Sequence, residues 1–186
     1  MNVILKQILD VTNEELDALD TSFIGQYNFY HGPEYFHGKA GAEHYRLLMY
    51  IAKLHHRQIL FDVGTHRCMS AAALSWTMVN RVKSYDIKKF IFSNPILPGV
   101  QYYYGDATED LDLIKSHFIF LDVDHDGIFE NKLYDHLEKI NWKGLLMLDD
   151  IYATNEMKEF WNNISKDKYD ISKIGHWSGT GLVNFE

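Results

Sequence analysis

The chain has 186 residues, of which 46% are hydrophobic and 24% charged, with a formal net charge of −8. That length carries one domain with a sizeable core. The acid excess argues against a nucleic-acid binder, which needs clustered Lys and Arg to neutralise phosphates. No run approaches the ~18 apolar residues that span a bilayer. Residues 1–20 have a basic side chain only at Lys6 and turn acidic, so they do not read as a signal peptide. A lone cysteine rules out an internal disulfide and suits a reducing compartment. A soluble, cytoplasmic protein with a small substrate is expected, with no nucleic acid and no membrane as partner.

In chain order, Val3, Ile4, Leu5, Ile8 and Leu9 precede Glu15, Leu16 and Leu19, with Thr12 as a cap between them. This reads as a short strand or helix, then a helix outside the core. Residues 21–41 mix glycines with aromatics without a period, which is a loop. Such a loop is either a substrate-facing lid, with Tyr30, His31 and His37 as its candidates, or a cover on a core edge. Apolar residues at 45, 48, 49 and 52 then give a helix over 42–55. The doublet His55-His56 at its end suits the C-terminal dipole.

Residues 58–73 are the centre of the pattern. Ile59-Leu60-Phe61 reads as a buried strand, Asp62-Val63-Gly64 breaks it, and a helix runs from Ser70, its expected N-cap, to about residue 80. Strands follow at 82–86, 100–104, 118–121 and 145–148, and near 169–174 and 182–185. Helices are expected at 88–93 (ended by Pro95 and Pro98), 110–115, 131–140 and 155–164. Apolar strands alternating with helices imply an α/β fold. It is doubly wound, with a mostly parallel seven-stranded sheet covered on both faces. Residues 1–41 form an N-terminal helix and aromatic segment, and 42–186 a cofactor-binding core.

The first five strands end in Asp62, Asp86, Asp106, Asp122 and Asp149-Asp150. Ligands of such sheets bind outside the carboxyl ends of the strands. Gly64 lets the backbone approach a ligand there, beside a helix N-terminus with free N–H groups. Asp86 lies 24 residues after Asp62, near the ~20-residue offset of an acid that meets ribose hydroxyls. Asp106 is placed to accept from an adenine amino group. After Gly64 the chain gives Thr65-His66-Arg67-Cys68 rather than G-x-G-x-x-G, so no pyrophosphate cradle is present. That favours an adenosyl ligand over NAD.

DVGTHRCMSAAAL resembles motif I of class I S-adenosylmethionine-dependent methyltransferases, SYD their second acidic motif and GDA their adenine-binding motif. The stretch FIFLDVDHDGIFENKLYDHLEKINWKGLLMLDDI resembles the metal-dependent O-methyltransferases of the catechol and caffeoyl-coenzyme A types. Its Asp-Asp doublet and D-x-D-H run resemble most the macrocin-type sugar enzymes. The likeness covers roughly residues 42–152. It implies a Rossmann-like methyltransferase fold. It also implies cofactor contacts from Asp62, Gly64, Thr65, His66, Ser70, Asp86, Ile87, Asp106, Ala107 and Asp122. One departure stands out: Cys68 occupies the second motif I glycine, either as a small buried substitute or, more sharply, as a nucleophile.

Asp122, Asp149 and Asp150 repel one another unless a cation neutralises them, and all-oxygen ligands suit Mg²⁺, Mn²⁺ or Ca²⁺, with Mg²⁺ or Mn²⁺ expected. A metal that holds adjacent hydroxyls lowers their pKa and aligns them for methyl transfer. His125 is the expected base, with Asp124 as second candidate or as the group that orients it. His66 and Arg67 either contact the cofactor carboxylate or face solvent. The Gly-rich turn from His176 to Gly181 either closes over the site or is a plain hairpin.

The expected activity is O-methylation of a small-molecule or glycan hydroxyl, with a homodimer as an option. The alternatives are a catechol-like acceptor, or a non-catalytic adenosyl-binding module of the same fold.

Overall fold

The central strands of this chain are buried on both faces, while the edge strands are partly exposed. A computed structural model describes residues 3–27, 29, 33–88 and 95–186. Its sheet joins β1 (Ile59–Val63), β2 (Arg81–Asp86), β3 (Val100–Tyr104), β4 (Phe118–Leu121), β5 (Leu145–Asp149), β6 (Asp167–Asp170) and β7 (Thr180–Asn184). The order is β3-β2-β1-β4-β5-β7-β6, with the first five strands parallel and β7 antiparallel to both its neighbours. The fold class is the expected one.

Alternation along each strand sorts the core into two layers. Leu60, Phe118, Phe120, Leu145 and Met147 face one way and pack with residues of α1 (Val3–Asp10), α3 (Tyr45–Leu54) and α4 (Met69–Ser75). Phe61, Ile119, Leu121, Leu146 and Leu148 face the other, against residues of α5 (Ile128–Lys139) and α6 (Asn155–Asn163). Trp142 is wedged in the second layer, where its indole N–H donates to the Ser116 carbonyl at 2.9 Å.

The N-terminal segment is held by a short helix, α2 (Asn13–Asp17), whose Thr12 and Glu15 form a reciprocal capping box. The Arg46 guanidinium donates to the carbonyls of Leu16, Asp17, Leu19 and Gly38, pinning this segment to the start of α3. Residues 22–26 and 33–37 form 3₁₀ turns whose Phe23, Ile24 and Phe36 are buried. These rings cover a core edge. His37 is exposed, and the lid candidates Tyr30 and His31 lie outside the described residues.

Several boundaries differ from expectation. The helix after β1 begins at Met69 and ends at Ser75, with Cys68 rather than Ser70 in the cap position. Residues 110–115 hold a 3₁₀ turn instead of a helix, α5 starts three residues early at Ile128, and most of the expected 88–93 helix falls outside the described residues. His55 is not a solvated dipole partner either. It is buried at the end of α3 with its ring 5.7 Å from Phe118.

Burial, reinforced by His117, lowers the His55 pKa to about 4. The unfolded chain therefore binds a proton near pH 6.5 that the fold refuses, so stability falls as pH drops from about 6.5 toward 4. Between about pH 7 and pH 5 this costs about 2 kcal/mol. His55→Leu removes it, so the melting temperature of the variant should gain on the wild type by about 5 °C over that interval. Parallel melting curves at both pH values would show that the imidazole is charged in the fold.

Candidate functional site

The sheet order reverses between β1 and β4, and a crevice opens there at the carboxyl ends of the strands. It is a cleft of about 360 Å³ whose lining includes Gly64, His66, Asp86, Ile87, Gly105, Asp122, Asp124 and His125. Gly64 has φ +96°, and a Cβ there would stand 1.6 Å from the Asp122 carbonyl oxygen. Its glycine therefore serves the close approach of two backbone segments, while the residue also lines the cleft. The Gly64 and Thr65 amides both donate to the Tyr85 carbonyl, which ties the loop to β2.

Asp86 ends β2 at the cleft wall. Its two carboxylate oxygens accept from the backbone amides of His66 and Lys88, at 3.0 and 2.9 Å. Each oxygen keeps a further lone pair for a vicinal diol.

Five of the expected cofactor residues are not among those lining the cleft. Asp62 is fully buried, with Ser84 Oγ donating to it at 2.8 Å. Burial pushes its carboxyl up to about 6, against favourable contacts from Ser70, Ser84 and Thr65. Together Asp62, Thr65 and Ser70 fix the β1–α4 turn from within. Asp106 accepts from the Thr108 amide at 2.9 Å and pairs with Lys132, capping the 3₁₀ turn that follows β3, while Ala107 is buried beneath it.

Cys68 is 2% exposed and adopts φ +66°, the left-handed conformation that a glycine would adopt freely. Burial raises its thiol to about 11, so it is not a thiolate nucleophile. The motif I departure keeps the glycine backbone geometry and buries the side chain.

Beyond the cleft the strand-end carboxylates meet three histidines. His125 Nε2 lies 3.2 Å from Asp122 Oδ1 and 3.5 Å from Asp150 Oδ2. His176 Nδ1 lies 3.4 Å from Asp149 Oδ1 and 3.3 Å from Asp150 Oδ1, and its Nε2 is 3.6 Å from Glu43. His44 Nδ1 is 3.3 Å from Asp149 Oδ1. The structure thus brings Asp122, Asp149 and Asp150 together, but interleaved with imidazoles that the all-oxygen expectation did not include. Asp124 is exposed on the cleft and does not pack into the sheet. His66 and Arg67 are exposed in the loop above it.

Topology delivers Glu43 and His44, which the sequence did not single out, and brings in His176 from the Gly-rich turn. The α3–β1 connection runs along the amino edge of the sheet, so the start of α3, with Glu43 and His44, falls at the carboxyl edge. The β7 strand runs antiparallel and pairs Thr180 with Asp149, so the loop preceding it arrives at the same edge with His176. That loop is fastened by Ile151 and Tyr152 amides donating to the carbonyls of Gly179 and Ser178. Ser178 Oγ contacts both Asp150 and His176 Nδ1. An Glu-His pair opening the helix before the first strand was the signal available for Glu43 and His44.

Burial opposes charge in this cluster, and mutual attraction overrides it at His44, His125, His176, Asp149 and Asp150. His176 is held up at about 10 by Asp149 and Asp150, and Asp122 and Asp149 respectively raise His125 and His44. Asp149 is depressed by His44 and His176, and Asp150 by His176 and Ser178. Glu43 is raised by its own desolvation. His125 and Asp150 both have φ +57°, and strained loop residues of this kind cluster at functional sites. The His125 carbonyl accepts from Thr154 Oγ1 at 2.8 Å, which anchors that loop to the start of α6.

No protein-family model matches the chain, and no curated protein matches it in sequence. Solved structures do match. One is a Staphylococcus aureus protein classed as a caffeoyl-CoA O-methyltransferase, at TM-score 0.57 and 11% identity over 97% of this chain and 95% of that one. Another is an O-methyltransferase from Bacillus cereus in complex with SAH, at TM-score 0.54 and 13% identity over 100% and 92%. A third is the O-methyltransferase TomG from Streptomyces achromogenes, involved in tomaymycin synthesis and in complex with SAM. It matches at TM-score 0.51 and 12% identity over 99% and 90%. The chain has the Rossmann-like methyltransferase fold, and no helix among the described residues is long and apolar enough to cross a membrane.

Proposed function

We propose that the chain is an S-adenosylmethionine-dependent O-methyltransferase, assisted by a divalent cation, that methylates a hydroxyl of a sugar or glycan. The observation that carries this reading is the adjacency of two features at one sheet edge. An adenosyl-sized cleft ends in Asp86, and a carboxylate–imidazole cluster begins at Asp122 and His125. The cleft fits an adenosyl group better than a dinucleotide. Asp86 offers free lone pairs to a ribose diol, and no glycine-rich phosphate cradle faces it.

When bound, the cofactor supplies an electrophilic methyl on a sulfonium. Transfer breaks the methyl C–S bond, forms a C–O bond to the acceptor and leaves the acceptor proton to be taken up. His125 Nε2 is the atom we assign to take it. The Asp122 and Asp150 carboxylates beside it increase its proton affinity, which suits a general base. Asp122, Asp149 and Asp150 would hold the cation that aligns the acceptor oxygen.

The Asp149-Asp150 doublet supports a sugar, and the exposed Trp177 beside His176 offers an aromatic face near it. A catechol-like acceptor is the second reading, favoured by the likeness to the Staphylococcus aureus protein. A screen of both acceptor classes separates them.

The first test is calorimetric titration with S-adenosylhomocysteine, in EDTA and again with Mg²⁺. Binding is expected in both, because Asp86 meets the ribose at the far wall of the cleft from Asp149 and Asp150, which do not line it. Asp86→Ala should weaken it at least tenfold, since bonds from a diol to a carboxylate are worth about 1.5–3 kcal/mol each. Asp106→Ala should leave it within about twofold. No binding to the wild type would move the chain to a non-catalytic module of the same fold.

A further inference from the structure

We propose that His44, Asp122 and Asp149 form a mixed nitrogen–oxygen centre for a borderline transition-metal dication of the Zn²⁺ class, in place of an all-oxygen Mg²⁺ site. This deepens the metal-assisted reading above, keeping two of its three carboxylates, Asp122 and Asp149, and replacing Asp150 by His44. One ligand atom from each of the three residues lies within 4.8 Å of the other two. They come from separate elements: the start of α3 and the ends of β4 and β5.

What points to a cation is the state of the polar atoms. His44 is 2% exposed, yet neither of its ring nitrogens makes a hydrogen bond among the described residues, and Asp149 Oδ1 makes none either, only long ion-pair contacts to His44 and His176 at 3.3 and 3.4 Å. Groups so buried are paired in the great majority of folds, because an orphan costs about 1–3 kcal/mol. The 3.3 Å between His44 Nδ1 and Asp149 Oδ1 is too long for a good charge-assisted bond, which is ~2.7–2.9 Å. It is the spacing of co-ligands, since atoms ~2.1 Å from a tetrahedral ion stand about 3.4 Å apart.

The donor set decides the metal. An imidazole nitrogen favours Zn²⁺, Fe²⁺ or Co²⁺, whereas Mg²⁺ prefers oxygen and keeps several waters. His44, packed 4.8 Å from the Phe120 ring, leaves little room for a water shell on its side. Sharing Asp122 and Asp149 in this way leaves His125 and Asp150 available to the acceptor.

The test uses the whole chain, stripped with EDTA and titrated with Co²⁺, Zn²⁺ and Mg²⁺ in the absence of cofactor and acceptor. Calorimetry should show Zn²⁺ at least a hundredfold tighter than Mg²⁺, and Co²⁺ should develop the intense visible bands of a low-coordinate nitrogen-containing site. His44→Gln should lose at least tenfold in Zn²⁺ affinity while Mg²⁺ affinity stays unchanged, with far-UV circular dichroism confirming the fold. If that variant does not fold, ¹⁵N-histidine labelling of the wild type replaces it, and Zn²⁺ must shift a ring nitrogen of His44. Equal affinity for Mg²⁺ and Zn²⁺, an unmoved His44 resonance, or no dication binding at all would overturn the centre. S-adenosylhomocysteine binding by the same EDTA-treated sample is scored separately. Its loss would defeat the methyltransferase reading and leave the metal result standing.

Discussion

His125→Ala should lower methyl transfer by about 10²–10⁴-fold, the usual contribution of a positioned general base, while S-adenosylhomocysteine affinity stays within about twofold. The separation is expected because the loop does not depend on the imidazole. It is anchored by the backbone carbonyl of His125 on Thr154, and by the Asp126 side chain accepting from the Ile128 amide at 2.9 Å. Removing the ring also relieves Asp122 and Asp150 of a partner, so His125→Gln is the matched control that keeps volume and polarity without proton affinity. Single-turnover rates and calorimetry on the same preparations decide it. Equal losses of rate and of cofactor affinity, or loss of the fold, would place His125 in the scaffold.

Gly64→Ala should be the most destabilising single substitution among these tests. The new Cβ would stand 1.6 Å from the Asp122 carbonyl oxygen and 2.6 Å from its carbon, both backbone atoms in the adjoining β4 segment. The residue would also be held at φ +96°, where a side chain is strained. Steric overlap and strain together should cost on the order of 3–5 kcal/mol and lower the melting temperature by on the order of 10 °C. Gly105→Ala is the comparison. Its φ of +143° carries backbone strain, but nothing lies within 4 Å of the added Cβ. A similar loss in both variants, read by thermal denaturation, would show that conformation and not the β1–β4 approach sets the requirement.

The two substitutions probe opposite sides of one junction. Gly64 fixes where Asp122 stands, and Asp122 in turn flanks His125 at 3.2 Å. A shift of β4 relative to β1 would therefore move the proposed base together with the cleft wall, which is why the tight backbone contact belongs to function as well as to stability.

The strands and their order of occurrence were legible in the amino-acid sequence because both faces of β1, β4 and β5 are buried, so each reads as an unbroken apolar run. The acids at their ends were legible for the same reason: an abrupt change from apolar to carboxylate marks where a strand leaves the core. That pattern was enough to place Asp86, Asp122, His125, Asp149 and Asp150 at one edge of the sheet.

What only the tertiary structure decided is which of those edge residues face the cleft and what else joins them. Asp62 and Asp106 carry the same sequence signal as Asp86, yet one is turned into the core and the other is spent on Thr108 and Lys132. The direction of a side chain at a strand end depends on the pleat and on its neighbours, which a spacing cannot specify. His44 and His176 reach Asp149 from 105 and 27 residues away in the chain. One arrives on a helix start, the other on the loop before an antiparallel strand. Their meeting follows from sheet topology, a non-local property, and that is why the sequence suggested oxygen ligands alone while the folded chain gathers nitrogen and oxygen donors together.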